Sequence, residues 1–226
     1  MDPYKAILQD LLLAPIVESR GMTTKETLNK HMTFPTKAVV MCHEMIPDNT
    51  KYIKRELDWY LKGDRMDLSI IEHAKMWAPH VQDGYLNSNY GYWLWGDKGP
   101  KTFQTAMDIM ASDNGTRRAI ALIGSSDCIK VDTKDVPCTQ SIQFIMRGKM
   151  HAIATMRSQD AWFGLRNDLA FFQFLLRTAA KYHDVECGTL AINVGSFHLY
   201  EKHWSIARQI LISTVPVRMT DYDFEL

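Results

Sequence analysis

Cys138, Arg157, Asp160 and Asp168 lie close together in the chain, in the strings PCT at 137–139 and MRSQDAWFGLRND at 156–168. A thiol is a soft nucleophile, and a guanidinium makes paired hydrogen bonds to phosphate. Carboxyls give and take protons. Together these groups suit chemistry on a phosphorylated heterocycle. A lone cysteine also serves as a small buried hydrophobe. Two features weigh against that use here. Pro137 sets a turn before a strand, and a hairpin would return Arg157 to the sulfur, where its charge favours thiolate.

Other residues extend the chemistry, each with an ordinary alternative. Arg117-Arg118 is a solvated pair at a strand start or a phosphate clamp, and Arg20 in a polar loop can serve the same anion. Glu56 is an exposed helix carboxylate or, beside Ile53, Leu57 and Tyr60, a partly desolvated acid or base. His198 and Tyr200 share one face of a strand, as plain surface or as a hydroxyl reader. Trp77 is packing or a stacking wall.

These residues need a framework, and the totals allow one. The 226 residues support one substantial core, with no repeat, low-complexity tract or linker, so a single unit over 1–226 is expected. With 26 basic and 26 acidic side chains the net charge is zero, which argues against direct nucleic-acid binding. Cys42, Cys128, Cys138 and Cys187 form no CxxC or CxxH spacing, so neither a metal site nor a disulfide framework is expected. No apolar run reaches membrane-spanning length and no signal peptide is evident, which points to a cytoplasmic protein.

The patterning supplies the elements. Asp2-Pro3 reads as a helix start, followed by an apolar face of Tyr4, Ile7, Leu8, Leu11 and Leu12. Helices are predicted over 51–62, stopped by Gly63, over 69–77, over 100–112, over 161–182 and over 201–210. Residues 19–30 and 83–99 read as loops, the second around a short extended piece. Residues 118–124 read as a buried strand. Residues 139–146 and 150–156 form a hairpin about Arg147-Gly148-Lys149, and 188–199 is a further strand. Helices mixed with a hairpin imply an α+β fold.

The segments RELDWYLKGD, SNYGYWLW, TRRAI, PCTQSIQF, MRSQDAWFGLRND and NVGSFHLYEKH resemble the thymidylate synthase superfamily in order and spacing, from about residue 20 to residue 203. Within it the chain is similar to the deoxycytidylate hydroxymethylases of tailed phages. Asp168 stands where thymidylate synthases carry a uracil-reading Asn. Thr139 stands where they commonly have His after the cysteine. His80 stands where they have a second Trp.

The resemblance implies a mixed sheet flanked by helices, with sheets back to back in a homodimer. It implies conversion of dCMP, 5,10-methylenetetrahydrofolate and water to 5-hydroxymethyl-dCMP and tetrahydrofolate. Cys138 would add to C6, Glu56 and Tyr90 would organise water and protons, and Asp168 would read the base. Arg20, Arg157 and Ser158 would hold the phosphate, with Arg117 and Arg118 from the other subunit. His198 and Tyr200 would hold the sugar, and Trp77, Asp160 and Gly164 the folate. The rivals are a dCMP methyltransferase that transfers hydride, a CMP hydroxymethylase, and a nucleotide-binding assembly protein.

Overall fold

The computed structural model describes residues 2–37 and 39–222. The expected single unit over 1–226 also takes in Met1, Ala38 and 223–226, which lie outside the described residues. Strands β1 (Ile16–Ser19), β2 (Met22–Pro35), β4 (Ile120–Leu122), β5 (Thr139–Met146), β6 (Met150–Asp160) and β7 (Cys187–Tyr200) form one sheet in the order β1-β2-β7-β6-β5-β4. Every neighbouring pair is antiparallel except β6 and β7, which are parallel and joined by a long helix. Strands β3 (Val40–Cys42) and β8 (Arg218–Thr220) pair separately. The helices are α1 (Pro3–Leu13), α2 (Thr50–Lys62), α3 (Ile70–His73), α4 (Tyr90–Leu94), α5 (Thr102–Ser112), α6 (Gly164–Tyr182) and α7 (Trp204–Ile212). The result is a mixed α+β fold, as the patterning implied.

The Asp2 carboxylate starts α1 by accepting from the Tyr4 and Lys5 amides at 2.9 and 3.2 Å, and Pro3 needs no partner for an amide hydrogen it lacks. Tyr4, Ile7, Leu8 and Leu11 are its buried stripe. Helix α2 buries Ile53, Glu56, Leu57 and Tyr60 at the spacing of one face, so an acid occupies a core position. Gly63 ends it in the left-handed region at φ 61°. Helix α6 buries Leu165, Leu169, Phe172 and Leu176 completely, each contributing about 1.5–3 kcal/mol relative to exposure.

The sheet changes face partway along its strands. On β7, Leu190, Ile192 and Val194 are buried, then Phe197 and Leu199. On β6, Ala152, Ala154 and Met156 are buried, then Gln159. On β5, Thr139 and then Ile142 and Phe144 are buried, with a register shift between Thr139 and Ser141. The crease runs across the strands through Cys138, Arg157 and Gly195. A side chain at Gly195 would stand 2.9 Å from the Arg157 carbonyl oxygen, so the close approach requires glycine. Asn29, at φ 56°, lies opposite Gly195 on β2. Beyond the crease on one side of the sheet, His31, Thr33, Asn193, Thr155, Ile153 and Gln143 stay accessible, which leaves that face open.

Several elements differ from the sequence reading. The loop expected over 19–30 is mostly strand β2, and only the Arg20-Gly21 turn is a true loop. Its threonines are β-branched and suit a strand whose outer face is wet. The loop expected over 83–99 contains α4, capped by the Asn89 side chain on the Tyr92 amide at 3.1 Å. The strand expected buried over 118–124 is a short edge strand with Ile120 and Leu122 exposed. Strand β6 runs four residues past the predicted end at 156, to Asp160. Strands β1, β3 and β8 had no expectation. No helix among the described residues is long and apolar enough to cross a membrane.

Candidate active site

Cys138 sits at the crease where β5 begins. Its carbonyl accepts from the Arg157 amide at 2.8 Å. The Arg157 guanidinium donates to the Pro137 and Val136 carbonyls at 3.0 and 2.5 Å, so it braces the loop that carries the thiol. The hairpin does return this arginine to the cysteine. The sulfur nevertheless favours its proton. Burial pushes the Cys138 thiol up, Arg157 and Arg20 pull it down, and Asp168 and Asp135 push it up again. This corrects the expectation of a thiolate in the free protein: desolvation outweighs the guanidinium. The other side of the loop is pinned by Asp135, whose carboxylate accepts from the Ser88 amide and hydroxyl at 2.7 and 2.5 Å. The Thr139 amide donates to the Tyr90 hydroxyl at 3.3 Å.

Asp168 on α6 acts on this thiol through charge, and Glu56 on α2 acts on Asp168 in turn. Burial raises Glu56 on α2 to about 7, and the Tyr52 hydroxyl, donating to Oε1 at 2.7 Å, opposes the rise. The Trp77 indole N–H donates in turn to the Tyr52 oxygen at 3.0 Å. Asp168 on α6 keeps partial solvent exposure, yet burial of its carboxyl raises it well above the usual carboxylate range. The Glu56 charge adds to the rise, and the Gln159 amide, donating to Oδ2 at 2.7 Å, opposes it. Tyr90 and Tyr60 stack 5.1 Å apart at 10°, and burial holds both phenols protonated. Asp168 also acts on Tyr52, Tyr60, Tyr90 and Cys138, so these groups form one electrostatic cluster.

The remaining expected residues fall into three groups. Arg20, at φ 51°, projects from the β1–β2 turn, and its charge acts on both Cys138 and Tyr200. Ser158 lies opposite Ser196 in the β6–β7 register. His198 is buried, and its ring meets that of Tyr200 edge-on at 5.0 Å, so the two share a side as predicted.

Arg117 and Arg118 are exposed and are not brought to the thiol in this chain. Strand β4 pairs Leu122 with Ser141 and Ile120 with Gln143, so Arg118 falls beside Ile145. That is on the order of 20 Å along β5 from Cys138, beyond the reach of a side chain.

Of the residues expected at the folate, Trp77 is half-exposed beside Tyr52. Asp160 is engaged by the backbone, accepting from the Trp162 and Phe163 amides at 3.1 and 2.8 Å, and so fixes the turn that leads into α6. Gly164 lies against the Gln159–Asp168 pair.

Sequence reasoning missed Tyr52, Gln159, Asp135 and Arg166. Tyr52 was visible as the residue four before Glu56 on one helix face. Arg166 is 2% exposed and ties α6 to the start of α2, donating to the Pro47 carbonyl and the Asn49 side chain at 2.5 and 2.8 Å. Among the described residues no cluster of three His, Cys, Asp or Glu side chains could hold a metal ion.

Residues 4–220 match the family model described as thymidylate synthase. The chain belongs to the thymidylate synthase family and is a one-carbon transferase. It is 30% identical to the deoxycytidylate 5-hydroxymethyltransferases of Enterobacteria phages T4 and T2, over alignments that cover 69% of this chain and 69% of each relative. The phage T6 protein of the same name matches with the same identity and coverage.

Proposed function

We propose that this chain is a deoxycytidylate 5-hydroxymethyltransferase, acting on dCMP with 5,10-methylenetetrahydrofolate as one-carbon donor and water as the source of the hydroxyl. The supporting observation is the Asp168 carboxyl, held neutral by burial and by the Glu56 charge. Cytosine presents an acceptor at N3 and an amino donor at the 4-position. A neutral carboxyl donates to the first and accepts from the second. Uracil presents the reverse pattern, which calls for an acceptor toward N3 in place of a proton.

The chain's own groups then divide the work. Cys138 gives up its thiol proton to bound water and adds through sulfur to C6, and the negative charge that builds toward N3 is met by the Asp168 proton. Glu56, raised to about 7, exchanges protons with bound water near neutral pH, oriented by Tyr52. Tyr90 holds the Thr139 amide and so the loop that carries the nucleophile. Arg20, Arg157 and Ser158 bind the phosphate, and His198 and Tyr200 bind the sugar hydroxyl.

Arg117 and Arg118 act on the site of a second copy, because the distance along β5 keeps them from their own. The open face of the sheet supplies the surface for a back-to-back homodimer. When bound, 5,10-methylenetetrahydrofolate supplies a one-carbon unit at the oxidation level of formaldehyde. The half-exposed Trp77 indole, fixed through Tyr52 to Glu56, fits a planar ring there. Gly164 and the turn fixed by Asp160 form the adjoining wall.

The test is incubation with dCMP and methylenetetrahydrofolate, followed by mass spectrometry of the nucleotide. A gain of CH₂O is expected. A gain of CH₂ with dihydrofolate would make the chain a methyltransferase, preference for CMP would make it a ribonucleotide hydroxymethylase, and turnover of dUMP in preference to dCMP would overturn the reading of Asp168.

A further inference from the structure

Gln159 has no task in the reaction described above. It is 3% exposed, on β6 between Ser158 and Asp160. Its Nε2 donates to Oδ2 of Asp168 at 2.7 Å. Its Oε1, on the same carbon, is buried and has no hydrogen-bond partner among the described residues. Buried polar atoms are nearly always paired, so an unpaired acceptor beside a reactive carboxyl marks a place where a donor arrives from elsewhere. A methyl group at Gly164 would touch Asp168 Oδ2 at 3.7 Å and Gln159 Nε2 at 3.8 Å, so the pair is backed by the start of α6. Glu56 on α2 and Asp160 on β6 act on Asp168 through charge, and Gln159 alone of these three bonds to Oδ2.

An amide has one donating and one accepting end, and its orientation follows from its partners. With Nε2 on Oδ2, that oxygen is an acceptor, so the proton of a neutral Asp168 sits on Oδ1. With the amide turned over, Oε1 would accept a hydrogen bond from an Oδ2 hydroxyl, which places the proton on Oδ2 and leaves Oδ1 as a bare acceptor. The two settings read opposite bases. A donating Oδ1 matches cytosine N3, whereas a bare acceptor matches the N3–H of uracil. We propose that Gln159 is a positioning residue that fixes the Asp168 proton on Oδ1, and that this setting selects the cytosine ring over the uracil ring. The inference rests on the reading of Asp168 under the proposed function. The unpaired Oε1 works in the same direction: an amino group at this edge offers it a donor, and a carbonyl offers only a second acceptor.

The experiment is calorimetric titration of dCMP and dUMP into wild type, Gln159→Met and Gln159→Glu, with thermal melts to confirm folding. Wild type binds dCMP more tightly than dUMP. Gln159→Met removes both amide ends at similar length, and should weaken dCMP by about tenfold or more while moving dUMP by less than about threefold. Gln159→Glu, when ionised, can only accept from Oδ2, and should move the ratio toward dUMP even if the Met variant fails to fold. Equal losses for both nucleotides, or an unchanged ratio in folded variants, overturn the inference alone. A wild type that prefers dUMP overturns the reading of Asp168 and the inference with it.

Discussion

Glu56 occupies a core position of α2, and its cost to stability can be worked out. In the folded chain its carboxyl titrates near 7, against an ordinary value of 4.5. Between those two pH values the folded state holds a proton that the unfolded state has released. Stability therefore falls as pH rises through this window and levels off above about 7. At about 1.4 kcal/mol per pH unit, the span amounts to about 3 kcal/mol, an upper figure because local relaxation and water entry soften burial. Glu56→Gln keeps an acceptor for the Tyr52 hydroxyl and removes the titration. Urea unfolding at pH 4 and pH 8 should show the variant level with wild type at the lower pH and about 2–3 kcal/mol more stable at the higher. Turnover of dCMP should fall by roughly 10²- to 10⁴-fold in the same protein. A variant no more stable than wild type at pH 8 would refute the claim that desolvation governs this acid.

Tyr52→Phe removes the hydroxyl that pulls Glu56 down, so the ionisation of Glu56 in the pH–rate profile should move to higher pH, by less than about one unit. Cys138→Ala should abolish turnover while leaving dCMP binding, measured by calorimetry, within about fivefold, since packing and hydrogen bonds to the base remain. An Arg118→Ala chain and a Cys138→Ala chain, each poorly active alone, should recover activity when refolded together, and recovery of none would argue against shared sites. Gly91→Ala would put a methyl carbon 1.6 Å from the Tyr60 carbonyl oxygen, so thermal unfolding should show a loss of roughly 3 kcal/mol or more, whereas a wild-type melting temperature would mean that α4 can shift freely against α2.

The helices were legible where one side of a helix faces water. Residues 3–13, 50–62, 102–112 and 164–182 carry apolar stripes that need no tertiary knowledge. Helix α4 was hidden because Tyr90, Gly91 and Trp93 are all buried, which erases the contrast between faces. Strand β2 was hidden for the opposite reason: its polar outer face and threonines look like a loop until β7 is seen beside it. The thiol, the arginine and the two acids could be named from their types and spacing, and the structure gathers them. Their charge states could not, because the thiolate expectation counted Arg157 and had no measure of burial. Gln159 was passed over because an amide inside a string of charged and aromatic residues shows no pattern of its own; its meaning lies in the atom it touches.

The crease through Cys138, Arg157 and Gly195 acts like a change of reading frame within a single strand. On one side of it, alternate residues of β6 and β7 answer to the core, and on the other side the phase is shifted by one. A deletion of one residue between Gly195 and His198 would swap every position from there to the strand end, turning His198 and Tyr200 away together. Such a chain could keep its packed half intact and still lose its binding half at one stroke. The length of these strands on each side of Gly195 is therefore under tighter constraint than most of the side chains they carry.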